Sequence, residues 1–149
     1  MAASKWMVYK NAKKYLLDGT IDLDGGLVRM KLLKGTKAAV VSAFTRDTFA
    51  SLTHIASGGI SQAIMTCSSP AIISINASTW GFDSTAVIFK ATGSNLTSIQ
   101  YAAIGVSNGK AIAWCKLSDS AFQLSDGNTL TITPNASGYF TISGGTTAT

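Results

Sequence analysis

Glutamate is missing from this chain of 149 residues, and charged side chains of every kind make up only 13% of it. A soluble domain typically carries about 25%. Because hydrophobic residues reach 46%, either Ser and Thr cover the exterior or partner proteins do. The titratable inventory is equally thin: one histidine and seven acidic residues, all aspartate. General acid–base catalysis draws first on histidine and on perturbed carboxylates. His54 has no partner nearby in sequence and reads as a structural residue. Asp22 and Asp24 give a hard cation too few oxygens to be a site by themselves, so no metal is expected. The two cysteines, Cys67 and Cys115, lack CxxC spacing and cannot form a metal site alone. They read as buried free thiols of a protein made in a reducing cytoplasm, with a disulfide between them as the alternative. No apolar run approaches the ~18 residues of a membrane span, and residues 1–14 lack the apolar core of a secretory signal. GxxxxGK[ST], HExxH and GxSxG patterns are absent. Gly58-Gly59 follows an expected helix, so no helix N-terminus points into that turn to bind phosphate. The expectation is a protein that is not an enzyme and uses no cofactor.

What the chain does have is turns between short strand-like runs. Asn108-Gly109 is a strong signal for a tight hairpin. Counted outward from it, Ala103 lies opposite Trp114, Tyr101 opposite Lys116, Ile104 opposite Ala113 and Ala102 opposite Cys115. Both faces of this hairpin are then apolar, whereas a solvated hairpin is apolar on one face only. It is therefore either enclosed within the domain or pressed against another subunit. Further strands are expected over residues 72–75, 85–90, 99–106, 111–117, 129–133 and 139–142, with turns at Asp126-Gly127 and from Pro134 to Gly138.

Nearer the N-terminus, Ser4 is placed to cap a helix over residues 5–17, with Val8, Ala12, Tyr15 and Leu16 as its buried stripe and Asp18-Gly19 as its stop. Residues 20–23 and 27–33 read as two consecutive strands or a hairpin. Residues 38–41 are ambiguous. A second short helix begins at Asp47, carries Phe49, Leu52 and Ala56, and ends before Gly58-Gly59. The single β-rich domain spans residues 1–143, and residues 144–149 are expected to form a mobile tail or an arm ordered by a neighbour. Asn76, Asn95 and Asn135 each head an N-x-[ST] triplet, which carries little weight without a secretory signal.

Charge is uneven. Nine of the twelve basic residues lie between Lys5 and Arg46, and only Asp18, Asp22 and Asp24 oppose them there. The lysines are dispersed and not interleaved with aromatics, so a specific nucleic-acid partner is not expected. An acidic protein surface fits better, and a merely solvated basic face is the alternative. Among the tryptophans, Trp80 in Ser78-Thr79-Trp80-Gly81-Phe82 is the candidate for an exposed ligand contact, with core packing as the competing role.

The stretch Tyr9-Lys10-Asn11-Ala12-Lys13-Lys14-Tyr15-Leu16-Leu17-Asp18-Gly19-Thr20-Ile21-Asp22-Leu23, followed by Val28-Arg29-Met30-Lys31-Leu32-Leu33, resembles a family of small structural proteins of tailed bacteriophages. Phe82 to Phe89, Ile99 to Ile104, Asp126 to Ile132 and Gly138 to Ile142 follow that family's strand ladder in order. The chain departs from the family where Gly58-Gly59-Ile60 replaces a glycine–tyrosine pair. The resemblance implies a virion component on the capsid exterior, a decoration (cement) protein, and brings no catalytic residues with it.

The combined expectation is a mainly β domain, a sandwich or partly closed barrel with an N-terminal helix and a second short helix. It binds a major capsid protein across capsomer seams through Lys10, Lys13, Lys14, Arg29, Lys31 and Lys34. It self-associates, with a trimer favoured, through Ile104, Ala113 and Trp114. A tail, neck or fibre-base component and a carbohydrate-binding receptor module using Trp80 are the alternatives.

Overall fold

The computed structural model describes residues 5–25, 27–34, 49, 52, 63–106 and 109–144, and the fold below is theirs. In chain order the elements are β1 (Met7–Val8), α1 (Lys10–Leu17), β2 (Val28–Leu33), β3 (Ile64–Thr66), β4 (Ala71–Asn76), β5 (Thr79–Asp83), β6 (Val87–Lys90), β7 (Leu96–Ile99), β8 (Tyr101–Val106), β9 (Ala111–Lys116), β10 (Phe122–Leu124), β11 (Thr129–Ile132) and β12 (Phe140–Ser143). The protein is mainly β. Its strands form antiparallel sheets in the orders β1-β9-β8-β2-β3, β12-β5-β4, β10-β7 and β11-β6.

The β8–β9 hairpin forms in the expected register: Tyr101 pairs with Lys116, Ala102 with Cys115, Ala103 with Trp114 and Ile104 with Ala113. Its closure differs from a two-residue turn. Val106 N–H donates to Lys110 O and Gly109 N–H to Val106 O, so the loop is one residue longer. A bulge between Ile104 and Gly105 absorbs the extra residue. Gly105 suits that place because a Cβ there would run into the Phe49 ring. Phe49 N–H in turn donates to Gly109 O at 2.9 Å. Asn108 itself lies outside the described residues.

β8 and β9 are interior strands of the five-stranded sheet, flanked by β2 and β1, and all of their residues but Val106, Trp114 and Lys116 are buried, so both faces are covered. The two readings of the hairpin thus resolve in favour of enclosure. Ile104 and Ala113 are 0% exposed within one copy of the chain. Neither is available for self-association, which corrects that part of the expectation. Trp114 is half-buried and packs edge-on against Tyr101, with ring centroids 6.2 Å apart.

The N-terminal helix is shorter than its sequence stripe. It starts at Lys10, and Tyr9 occupies the N-cap position without a side-chain cap. The preceding Met7 and Val8 pair with Trp114 and Ala113 instead. Tyr9 N–H donates to Ile112 O, so a sheet edge takes the backbone that a longer helix would have used. Ser4, the expected cap, lies outside the described residues. Ala12 is buried and Tyr15 and Leu16 are half-buried, as the stripe requires.

Residues 20–23 form no strand and lead into a turn at 23–25, where Asp22 Oδ1 accepts the N–H groups of Asp24 and Gly25. Ile21 and Leu23 still reach the core from it. The expected strand over 99–106 is split at Gln100, whose N–H donates to Leu33 O while its own carbonyl accepts from Leu117. Residues before and after it therefore join different sheets. The strands over 72–75, 85–90, 111–117, 129–133 and 139–142 appear with ends shifted by one or two residues. β1, β3, β5 and β10 were not anticipated. Residues 38–41 lie outside the described residues, as does the second helix apart from Phe49 and Leu52, which are both buried.

Tyr139 ties the last turn to the core. Its hydroxyl donates to Ile132 O at 2.8 Å and lies 3.2 Å from Thr85 O. Its ring meets Trp6 edge-on at 5.7 Å. Two of the three Asn triplets prove to be turn chemistry: Asn76 Oδ1 accepts from Ser78 N–H and Asn135 Oδ1 from Ser137 N–H. Asn95 instead ties two loops together, its Oδ1 accepting from Asp126 N–H across 31 residues of sequence.

Candidate docking surface

The six basic residues singled out in the sequence do not form one patch. Lys10, Lys13 and Lys14 are exposed on α1, where spacings of three and four bring side chains to one face. Arg29 and Lys31 alternate along β2, two strands in from β9, and face the same side of the sheet as Ala103 and Gly105. Lys31 is only 5% exposed. Its Nζ donates to Phe49 O at 2.9 Å and sits 4.5 Å from the centre of the Phe49 ring. Burial pushes its pKa below the usual lysine value. Lys31 is therefore an interior cation tying Phe49 to the sheet, and it corrects the expectation of a surface contact. Arg29 is half-buried, with its Nε enclosed and making no hydrogen bond. Lys34, at the end of the strand, is half-buried.

A different arrangement surrounds Trp80. β4 turns through Ala77 and Ser78 into β5, and the Asn76 side chain holds that turn by accepting from the Ser78 N–H and hydroxyl. β12 then lies along β5 with Ile142 opposite Trp80 and Ser143 opposite Thr79. Partners in an antiparallel register share a face, so Trp80 and Ile142 stand side by side. One step inward on that face, Phe82 and Phe140 stack at 5.3 Å and are buried. The face thus runs from core to surface, and its outer end carries Trp80 at 55% exposure. The C-terminal turn of α1 closes the other side with Leu16 and Leu17, the latter 89% exposed. Together with Lys13, Ala77, Ser78, Ser143 and Gly144 these residues line a groove of about 650 Å³. Gly144 N–H donates to Ser78 O at 2.7 Å, joining the end of β12 to the β4–β5 turn.

The electrostatics of the groove are one-sided. Lys13 is its charged lining residue, and no carboxylate among the described residues lines it. The nearest in sequence, Asp18, is turned onto Thr20, whose N–H it accepts at 3.0 Å. Hydrogen bonding to Thr20 holds the Asp18 carboxyl below its usual pKa, with Lys14 adding to the effect.

Sequence reasoning had found Trp80 but not its companions. Leu17 stands one residue past the buried stripe of α1, and that offset signalled an outward leucine. Ile142 and Ser78 carried no local signal, because their proximity to Trp80 depends on the β5–β12 pairing.

Cys67 and Cys115 are both free and buried. Burial raises the Cys67 thiol to about 11 and the Cys115 thiol to about 12. A thiol held protonated in this way is a poor nucleophile at neutral pH. Burial likewise raises the Tyr139 phenol to about 12. Among the described residues no three His, Cys, Asp or Glu side chains gather as a metal site, and no helix is long and apolar enough to cross a membrane. His54 lies outside the described residues. No protein family, curated protein or solved structure matches the chain.

Proposed function

We propose that this chain is a non-enzymatic structural protein of a tailed-phage virion, a capsid decoration (cement) protein that binds the outer shell and stabilises it. The observation that carries the reading is the outward apolar and basic surface at the end of α1. Leu17, Trp80 and Ile142 are exposed beside Lys10, Lys13 and Lys14. Exposed apolar residues gathered in one place mark interaction sites, and the lysines favour an acidic partner. The resemblance in sequence to phage structural proteins supports the same reading. The three inner strands β2, β8 and β9, buried along most of both faces, support a sandwich-like layering of the domain. Self-association, with a trimer as the expected assembly, has to use exposed side chains, because Ile104 and Ala113 are interior.

The mechanism is linkage. A ligand that binds the assembled shell and not its free subunits stabilises the shell by mass action. Several weak contacts tethered in one oligomer act together. Particles lacking the protein should then break at lower temperature and milder osmotic shock than complete ones. Equal resistance rejects the cement role. Copy number separates a decoration protein, present in hundreds of copies, from a tail or neck part present in a few rings.

A second reading, a carbohydrate-binding receptor module, is favoured by the exposure of Trp80 beside the hydroxyls of Ser78 and Ser143. Glycan binding lost in a folded Trp80→Ala protein would select it.

A further inference from the structure

We infer that the groove between α1 and the β5–β12 pair takes a short acidic segment of a partner protein, anchored by a bulky apolar side chain set against Trp80. This deepens the docking role proposed above and rests on it for the nature of the partner, a protein surface.

Two observations choose a protein segment over a saccharide. A pyranose presents several hydroxyls, and each one desolvated on binding needs a hydrogen-bonding partner. The groove has few to offer. The Ser78 hydroxyl is engaged with Asn76 Oδ1 at 3.2 Å, and the Ser143 hydroxyl with that of Thr79 at 3.0 Å. Among the described residues the remaining walls, Lys13 at the rim apart, are mainly carbon: Leu16, Leu17, the Trp80 ring and Ile142. Such walls gain by excluding water from an apolar side chain and contribute little direction to a sugar ring.

Charge decides the flanks of the segment. Lys13 stands at the rim with Lys10 and Lys14 exposed on the same helix, and Asp18 is turned away onto Thr20. Asp18 offsets Lys14 in part, but Lys13 in the lining and Lys10 beside it on the helix leave the rim net basic, so a basic segment is repelled there and an acidic one gains. The site is also held ready, because the Gly144–Ser78 hydrogen bond and the Asn76 turn fix its far wall. Little ordering is then needed on binding.

The test pans a random peptide library displayed on phage against the immobilised full chain, alongside folded Trp80→Ser, Leu17→Ser and Lys13→Glu proteins. Leu17 and Lys13 are exposed, so their variants should keep the parent urea midpoint, and Trp80→Ser, which gives up the covered half of the ring, should lower it while leaving the protein folded. The expected enriched peptides pair a bulky apolar residue with neighbouring Asp or Glu. A synthesised winner should lose roughly tenfold or more in affinity on Trp80→Ser or Leu17→Ser. On Lys13→Glu it should weaken several-fold and become less salt-sensitive. No enrichment, winners without acidic residues, or winners indifferent to Trp80→Ser overturns the inference. So does Trp80-dependent binding on an array of neutral and acidic oligosaccharides. Separate failures are legible. Peptide capture with no effect on particle stability removes the cement role and leaves the groove standing. Stabilisation of particles that survives Trp80→Ser unchanged removes the groove alone.

Discussion

Replacing Ile104 by alanine tests whether the β8–β9 hairpin is enclosed within one copy of the chain. Ile104 is fully buried, between Met30 on β2 and Ala113 on β9 in register. The substitution removes its three outer carbons, at about 0.8 kcal/mol each, or about 2.4 kcal/mol of transfer free energy. A cavity term adds to this, since of its two register partners Ala113 has nothing to extend into the space and the flexible Met30 can fill it only in part. The expected loss is about 3–4 kcal/mol, inside the range of about 2–5 kcal/mol for buried Ile→Ala changes. With a urea slope of about 2 kcal/mol/M, the unfolding midpoint should fall by roughly 1.5–2 M. Because the side chain is enclosed by its own chain, the shift should be the same at low and high protein concentration. A loss under about 1 kcal/mol, the size of an ordinary surface substitution, would refute the interior placement. A shift that grows with dilution would do the same, since it marks a contact between subunits.

Two further expectations follow from the turns and the thiols. Gly138 has a φ of 83° and a Cβ there would strike the Phe82 carbonyl, whereas Gly93, with a φ of 81°, has open space around it. Gly93→Ala should therefore cost only the left-handed backbone penalty, about 1–2 kcal/mol, and Gly138→Ala distinctly more; equal melting temperatures for the two variants would contradict the close packing of the β11–β12 turn. Cys67 and Cys115, held protonated to about 11 and about 12, should resist a thiol-specific disulfide reagent at pH 8 and react only after urea is added. The unfolded thiols ionise near 9.0 while the folded ones do not, so their contribution to stability is present below pH 9 and declines as pH rises beyond it. Prompt reaction of the native protein at pH 8 would show that these residues are not enclosed.

Much of the β architecture was legible because its signals are local. Counting from Asn108-Gly109 gave four residue pairs of β8 and β9, which hold because the bulge at Gly105 offsets the one-residue-longer loop; a slip left uncorrected would have reversed every face. The turns at Asp126-Gly127 and at Asn135 to Gly138 form as expected, because backbone geometry there depends on the turn residues themselves. β3 and β10 went unseen, being three residues each and too short for any period. β5 went unseen because Gly81 interrupts it, and its strand character comes from pairing on both sides with β4 and β12.

By itself, then, the order of residues determined which segments alternate, where they turn, that the hairpin had to be covered on both faces, and that ionisable groups would be scarce. Only the tertiary structure decided what does the covering. It placed Ile104 and Ala113 inside one copy of the chain, took Lys31 out of solvent and onto Phe49, and drew Leu17, Trp80 and Ile142 together from three distant parts of the sequence. The physical reason is range. Turn and strand preferences act over a few neighbouring residues, whereas burial and the meeting of side chains depend on which strand lies beside which, and that is a property of the whole packed chain.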